Sequence, residues 1–149
     1  MAGATDFYSR GFYSLAHSRL RPGGALQQSV ELDHIGPREI ASQLATARSV
    51  FPYVDLWYSG GLGMLVAADH PLTEAHLPEG VAPPVELLDA GGVARFVARL
   101  HPPINTDDNR WLEYVAPRYQ ARSHRRAARN IESLRAIGKL LVDRAVPVN

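Results

Sequence analysis

The 149 residues contain no cysteine, which excludes a disulfide framework, a zinc–thiolate site and a cysteine nucleophile. No apolar run approaches the roughly 18–20 residues that a bilayer-spanning helix needs. The opening MAGATDFYSR has neither the basic segment nor the apolar core of a secretory signal. A soluble, cytoplasmic protein is the expectation. The six histidines are scattered without His-x-x-x-His spacing, so no metal site is expected. Ser59 sits in Ser-Gly-Gly and not in the G-x-S-x-G of a nucleophile elbow. Internal repeats and low-complexity stretches are absent too. Net charge is nearly absent, +1, but unevenly spread: Arg118 to Asn149 holds eight Lys or Arg against two acidic residues. Such a tail either meets nucleic acid or an acidic partner, or forms a solvated helix face, which is the commoner outcome.

What is present is an ordinary globular composition, 46% hydrophobic and 21% charged, enough for one domain with a real core plus appendages. Phe7, Tyr8, Phe12, Leu15, Ala16 and Leu20 recur at helical spacing, predicting an amphipathic helix over Asp6 to Arg19 with Asp6 or Thr5 as N-cap. Pro22-Gly23-Gly24 stops it. A strand over Ala25 to Leu32 should follow, its Gln27, Gln28 and Glu31 interrupting the apolar run of a fully buried strand. Polar residues near the C-terminal end of such a strand lie where open α/β sheets bind ligands. Gly36-Pro37 opens a second helix with Ile40, Leu44, Ala47 and Val50 on its buried face, ending near Ser49. Val54, Leu56 and Tyr58 alternate with Asp55 and Trp57, and Leu62 to Ala68 is short and apolar. With Ser59-Gly60-Gly61 between them, they predict an antiparallel hairpin closing one edge of the sheet.

From His70 onward prolines break the chain into short pieces, with one helix expected from about Glu86 to Leu100, weakened by Gly91-Gly92. The polar turn of INTDDNRWLEYVAPR follows. Ala127, Ile131, Leu134, Ile137 and Leu141 then space a helix within Ala121 to Ala145 that needs a partner surface. The expected division is residues 1–72 as half of an α/β domain, 73–118 as a Pro-rich extension and 119–149 as a basic helical tail.

The text FYSRGFYSLAHSRLRPGGALQQ, then a helix, then SVFPYVDLW, a glycine turn and a strand ending Ala-Ala-Asp-His-Pro-Leu, resembles the C-terminal half of the spermidine synthase-like aminopropyltransferases. NTDDNRWLEYVAPR resembles that family's N-T-D-D-x-P-x-L-E-Y/F-x-A-P-R segment. The two matches cover most of Asp6 to Arg118. The resemblance implies an α/β fold: a partial Rossmann-like sheet of the S-adenosylmethionine-dependent methyltransferase type with flanking helices, an antiparallel edge hairpin and a helical C-terminal tail. It also implies aminopropyl transfer from decarboxylated S-adenosylmethionine to putrescine or a related polyamine. That chemistry must hold a sulfonium beside a neutral amine and accept the proton the nitrogen loses. The family does so with a D-x-x-D-P segment and a glycine-rich donor loop, and neither motif occurs in these 149 residues. No catalytic, cofactor-binding or metal-binding residue is therefore assigned, and the donor is a co-substrate of the intact family.

By the same resemblance Gln28 matches the glutamine that helps bind the acceptor amine, since its amide can accept from an amine and donate to a carboxylate. The plain alternative is a strand-end glutamine satisfied by backbone. Gln27 has the weaker claim because alternation sends it to the opposite face. Ser29 and Asp33 stand where the family usually has aromatics. Asp107 and Asp108 are the other substrate-binding candidates, supplying charge near a cationic polyamine as part of Asn105-Thr106-Asp107-Asp108. The same four residues also read as a turn and N-cap with Asx side chains bonding local backbone. Phe7, Tyr8, Phe12, Trp57 and Trp111 are expected in the core.

The leading expectation is a spermidine synthase-like chain that is inactive alone, either a truncated reading frame or a part working with a complementary N-terminal half or a second copy. Two alternatives stand beside it. One is a non-catalytic interaction module presenting an unpaired sheet edge; the other is nucleic-acid binding through Arg122, Arg125, Arg126 and Arg129.

Overall fold

The computed structural model describes residues 6–59, 62–72, 84–115 and 124–142. The chain enters through a 3-10 turn, Asp6–Tyr8, and then helix α1, Arg10–Arg19. The expected single helix is broken at Ser9. Its extended backbone (φ −84°, ψ 156°) and side chain, accepting from the Phe12 N–H at 3.1 Å, make it the N-cap in place of Asp6 or Thr5. Restarting the helix there rotates its register. Tyr13 becomes its fully buried residue, while Phe7 and Leu15 are left 56% and 57% exposed. Gly23, at φ +77°, turns the chain into strand β1, Ala25–Val30. β1 stops short of Leu32 because a turn begins at Glu31, whose carbonyl accepts from the His34 N–H.

Helix α2, Pro37–Arg48, starts as expected with proline just after its Gly36 cap. It is buried on every side over residues 39–47, well beyond the predicted stripe. Strands β2, Tyr53–Ser59, and β3, Leu62–Ala68, pair as the predicted hairpin. The glycines between them, 60 and 61, lie outside the described residues. β3 does not close the sheet, however. The order is β1-β3-β2-β4 with every neighbouring pair antiparallel. β1 and β2 therefore run in the same direction, joined by the α2 crossover, with β3 inserted between them.

The edge beyond β2 is β4, Val85–Leu88, in a stretch expected to be helical. Leu87 and Leu88 enter the core as a strand against β2, and Asp89 then caps helix α3, Ala90–Leu100, by accepting from the Gly92 N–H at 2.6 Å. Helix propensity over Glu86–Asp89 was overridden by pairing with β2. Two further helices follow, α4, Trp111–Val115, and α5, His124–Val142.

Register puts Gln28, Leu65 and Leu56 in one row across β1, β3 and β2 on one face of the sheet, with Val30, Ala67 and Val54 on the same face. On this face the core forms with Tyr13, Ile40, Leu44, Val93, Phe96 and Leu134 from four helices. The opposite face carries Gln27, Ser29, Tyr53, Trp57, Met64 and Val66, all exposed or half-buried. Trp57 and Trp111, expected in the core, are only half-buried, Trp111 beneath the Arg38 guanidinium at 6.0 Å. Helix α5 is docked: Asn130 donates to the Leu32 and Ile35 carbonyls at 2.8 and 3.0 Å, and Leu134 is buried. Arg122 lies outside the described residues, and Arg129 is exposed. Among the described residues no helix is long and apolar enough to cross a membrane.

Candidate functional site

Strand alternation turns Gln28 toward the helices and Gln27 away, where its amide reaches the Met64 sulfur at 3.1 Å. Gln28 is held at both ends. Its Nε2 donates to the Phe7 carbonyl at 2.6 Å, and its Oε1 accepts from the Tyr13 hydroxyl at 2.6 Å. A carbonyl can only accept, so the Phe7 contact fixes which end of the amide is nitrogen and makes Tyr13 the donor. One Oε1 lone pair and one N–H remain for other partners. Next to it, the Tyr8 hydroxyl donates to the Ser29 carbonyl at 2.8 Å. Burial pushes the Tyr13 phenol far up, with the Tyr8 phenol adding to the shift. Burial also raises Tyr8, opposed by the Ser29 side chain and assisted by Glu31. Both are neutral hydroxyls at any ordinary pH, so the corner is polar but carries no charge of its own.

The Asn105-to-Asp108 segment meets the same corner from the other side. Asn105 is buried; its Nδ2 donates to the Tyr8 carbonyl at 3.2 Å, its carbonyl accepts from the Arg10 N–H at 2.8 Å, and its Oδ1 accepts from the Leu112 N–H at 3.1 Å. Its own N–H donates to Thr46 Oγ1 at 2.9 Å, tying the loop to α2. Thr106 and Asn109 exchange side-chain-to-backbone bonds at 3.0 and 3.2 Å, and Asn109 also caps the approach to α4 by accepting from the Trp111 N–H. These bonds are those of a turn that clasps α1 to α2. Asp107 and Asp108 are exposed, Asp107 lying over Gly11 in the first turn of α1. A carboxylate there is favoured by the dipole of the helix start. Gln28 bonds to Phe7 and Tyr13, not to either aspartate; Asp107 reaches Gly11 at the same end of α1, and the three candidates do not touch as one cluster.

Sequence reasoning missed a second polar centre. Asp55 is buried on β2, and its carboxyl is raised from 3.8 to about 7. Burial contributes most, followed by the Glu86 and Asp89 carboxylates and a hydrogen bond with Glu86, while the Ala90 N–H pulls the other way. In mildly acid solution this favours a protonated Asp55, hydrogen-bonded with Glu86. The signal for it was Glu86-Leu-Leu-Asp89, which carries a strand partner and a helix cap only once β4 is known to lie beside β2. Among the described residues no three His, Asp or Glu side chains are grouped to hold a metal ion.

Over 73 residues, 44% of its length, the chain is 38% identical to polyamine aminopropyltransferase 2 of Pseudomonas aeruginosa. It is similar to part of a polyamine enzyme. The chain spans about a fifth of that relative, 21% of its length. No protein-family model matches the chain, and no solved structure matches it.

Proposed function

We propose that this is a spermidine synthase-like protein whose described domain is the acceptor side of a methyltransferase-type Rossmann-like fold, with Gln28 contacting a polyamine amine. The partial identity to a polyamine aminopropyltransferase carries this reading. Support comes from the β1–α2–β2 crossover with strands in one direction, an α/β unit of the kind such folds repeat. Gln28 adds a buried-side amide with one acceptor lone pair uncommitted, which an amine N–H can use. Asp107, exposed over the same helix start, and the neighbouring exposed Asp108 add negative charge for a cationic chain. Within these 149 residues no D-x-x-D-P carboxylate pair stands ready to take the proton from an attacking nitrogen. The chain alone binds polyamine and does not transfer to it.

Two assays on the purified chain decide this. Calorimetric titration with putrescine should show binding that Gln28→Ala weakens, and incubation with putrescine and decarboxylated S-adenosylmethionine should release no methylthioadenosine. Absence of binding up to millimolar putrescine would remove the acceptor-side reading. Clear turnover would show that the chain carries its own catalytic base.

A further inference from the structure

We infer that Tyr13 is the positioning residue of this site, anchoring the carbonyl oxygen of Gln28, in the orientation the Phe7 carbonyl imposes, where an amine ligand can reach it; this rests on the reading of Gln28 as the polyamine contact. An unrestrained glutamine amide can rotate by half a turn about its last bond and exchange its oxygen for its nitrogen. Turned that way it would aim N–H donors at an ammonium or amine N–H, which needs an acceptor. The Phe7 contact forbids the turn, and the Tyr13 hydroxyl then pins the oxygen end in place. Phe7 offers only an acceptor, and Tyr13 stands 2.6 Å from Oε1 with its phenol proton as donor. Reversing the amide would leave two carbonyl oxygens, those of Gln28 and Phe7, facing one another, although the Tyr13 hydroxyl could accept from the reversed N–H2.

Tyr13 is suited to this work because it cannot move. The residue is fully buried in the core cluster with Val30, Ile40 and Leu44, and the Phe12 ring meets its ring edge-on at 5.7 Å. Its hydroxyl is thus carried by the hydrophobic core to a fixed point beside β1, and burial keeps it protonated. The orientation of Gln28 is set by packing and not by surface charge.

The test uses the isotope-labelled chain with putrescine as probe. Tyr13→Phe keeps the ring and removes the donor. We expect the Gln28 side-chain amide resonances to shift and exchange faster with solvent, and putrescine affinity to fall about fivefold, the size of one lost hydrogen bond. In a Gln28→Ala background the same substitution should leave putrescine affinity unchanged, because Tyr13 acts only through that amide. Unaltered Gln28 resonances in Tyr13→Phe, or an equal loss of affinity without Gln28, would overturn the inference. Should Tyr13→Phe not fold, the native chain still decides the matter: a slowly exchanging Tyr13 hydroxyl proton with a cross-peak to the Gln28 side chain is required, and its absence counts against the proposal. A native chain that binds no putrescine would sink the function proposed above, while the amide response to Tyr13→Phe would separately decide whether Tyr13 positions Gln28.

Discussion

The carboxylate of Asp107 lies directly over the bare Cα of Gly11, so that a methyl group added to Gly11 would collide with it. Gly11 to Ala in a helix ordinarily stabilises by roughly 0.5–1 kcal/mol. Here the gain is offset by displacing Asp107 from the start of α1. Thermal or urea unfolding of Gly11→Ala, Asp107→Ala and the double variant should therefore reveal coupling. Gly11→Ala stabilises only when Asp107 is gone, and equal effects in both backgrounds would mean that Asp107 has no place over the helix start.

Asn105 carries the clasp between α1 and α2. Replacing it with Ala leaves the Tyr8 carbonyl and the Leu112 N–H without the side-chain atoms that satisfy them. The cost expected is about 2–3 kcal/mol, since buried polar groups deprived of partners lose their full desolvation penalty. Asp108→Ala, by contrast, should change stability by no more than about 0.5 kcal/mol at its exposed site. Chemical denaturation of the two variants gives the comparison, and equal costs would refute the assignment of Asn105 as the structural member of the segment.

The Asp55 centre predicts a pH dependence of definite sign. An acid whose folded value is raised, here from 3.8 to about 7, binds more protons folded than unfolded, so stability falls as pH climbs through that window and levels off above it. The expected fall is on the order of 2 kcal/mol, less than the full shift would give because Glu86 and Asp89 face solvent. Asp55→Asn removes the titrating group and should flatten this part of the curve. A wild-type profile that rises between pH 4 and 7 would contradict the arrangement of Asp55, Glu86 and Asp89.

His70 gives a second, independent titration. Its Nδ1 and Nε2 each lie 3.1 Å from a carbonyl oxygen, those of Pro71 and Gly23. Two acceptors call for two ring protons, hence the imidazolium. Its value is raised by these two backbone bonds and by Asp69, against a small desolvation in the other direction. The contribution is present below the ordinary value near 6.5 and is lost as pH rises through the higher folded one. Nitrogen-detected NMR should find His70 titrating above the ordinary histidine midpoint, whereas a midpoint at or below it would disprove the bridge.

Much of the α/β order was legible in the chain because each signal was local. Pro22-Gly23-Gly24 ends α1, Gly36-Pro37 begins α2, and the alternation over Val54 to Tyr58 marks β2, each through the conformations those residues allow. The errors fell where a distant contact decided. Asp6 looked like a cap as well as Ser9 does, and only the packing of Tyr13 into the core selects the later start. Glu86 to Leu88 has no local feature that separates strand from first helical turn; the free edge of β2 makes it a strand.

The candidate site divides the same way. That Gln28 and Gln27 point to opposite faces followed from the two-residue period of a strand, and that Asn105-Thr106-Asp107-Asp108 forms a turn followed from side chains that bond their own backbone. By itself the sequence determined these residue types and their spacing. Only the tertiary structure decided that Tyr13 holds the Gln28 amide, that Asn105 clasps two helices and that Asp55 meets Glu86 and Asp89. Each of those depends on contacts between residues far apart in the chain, and such contacts are chosen by the burial of the whole core, which no local window of sequence contains.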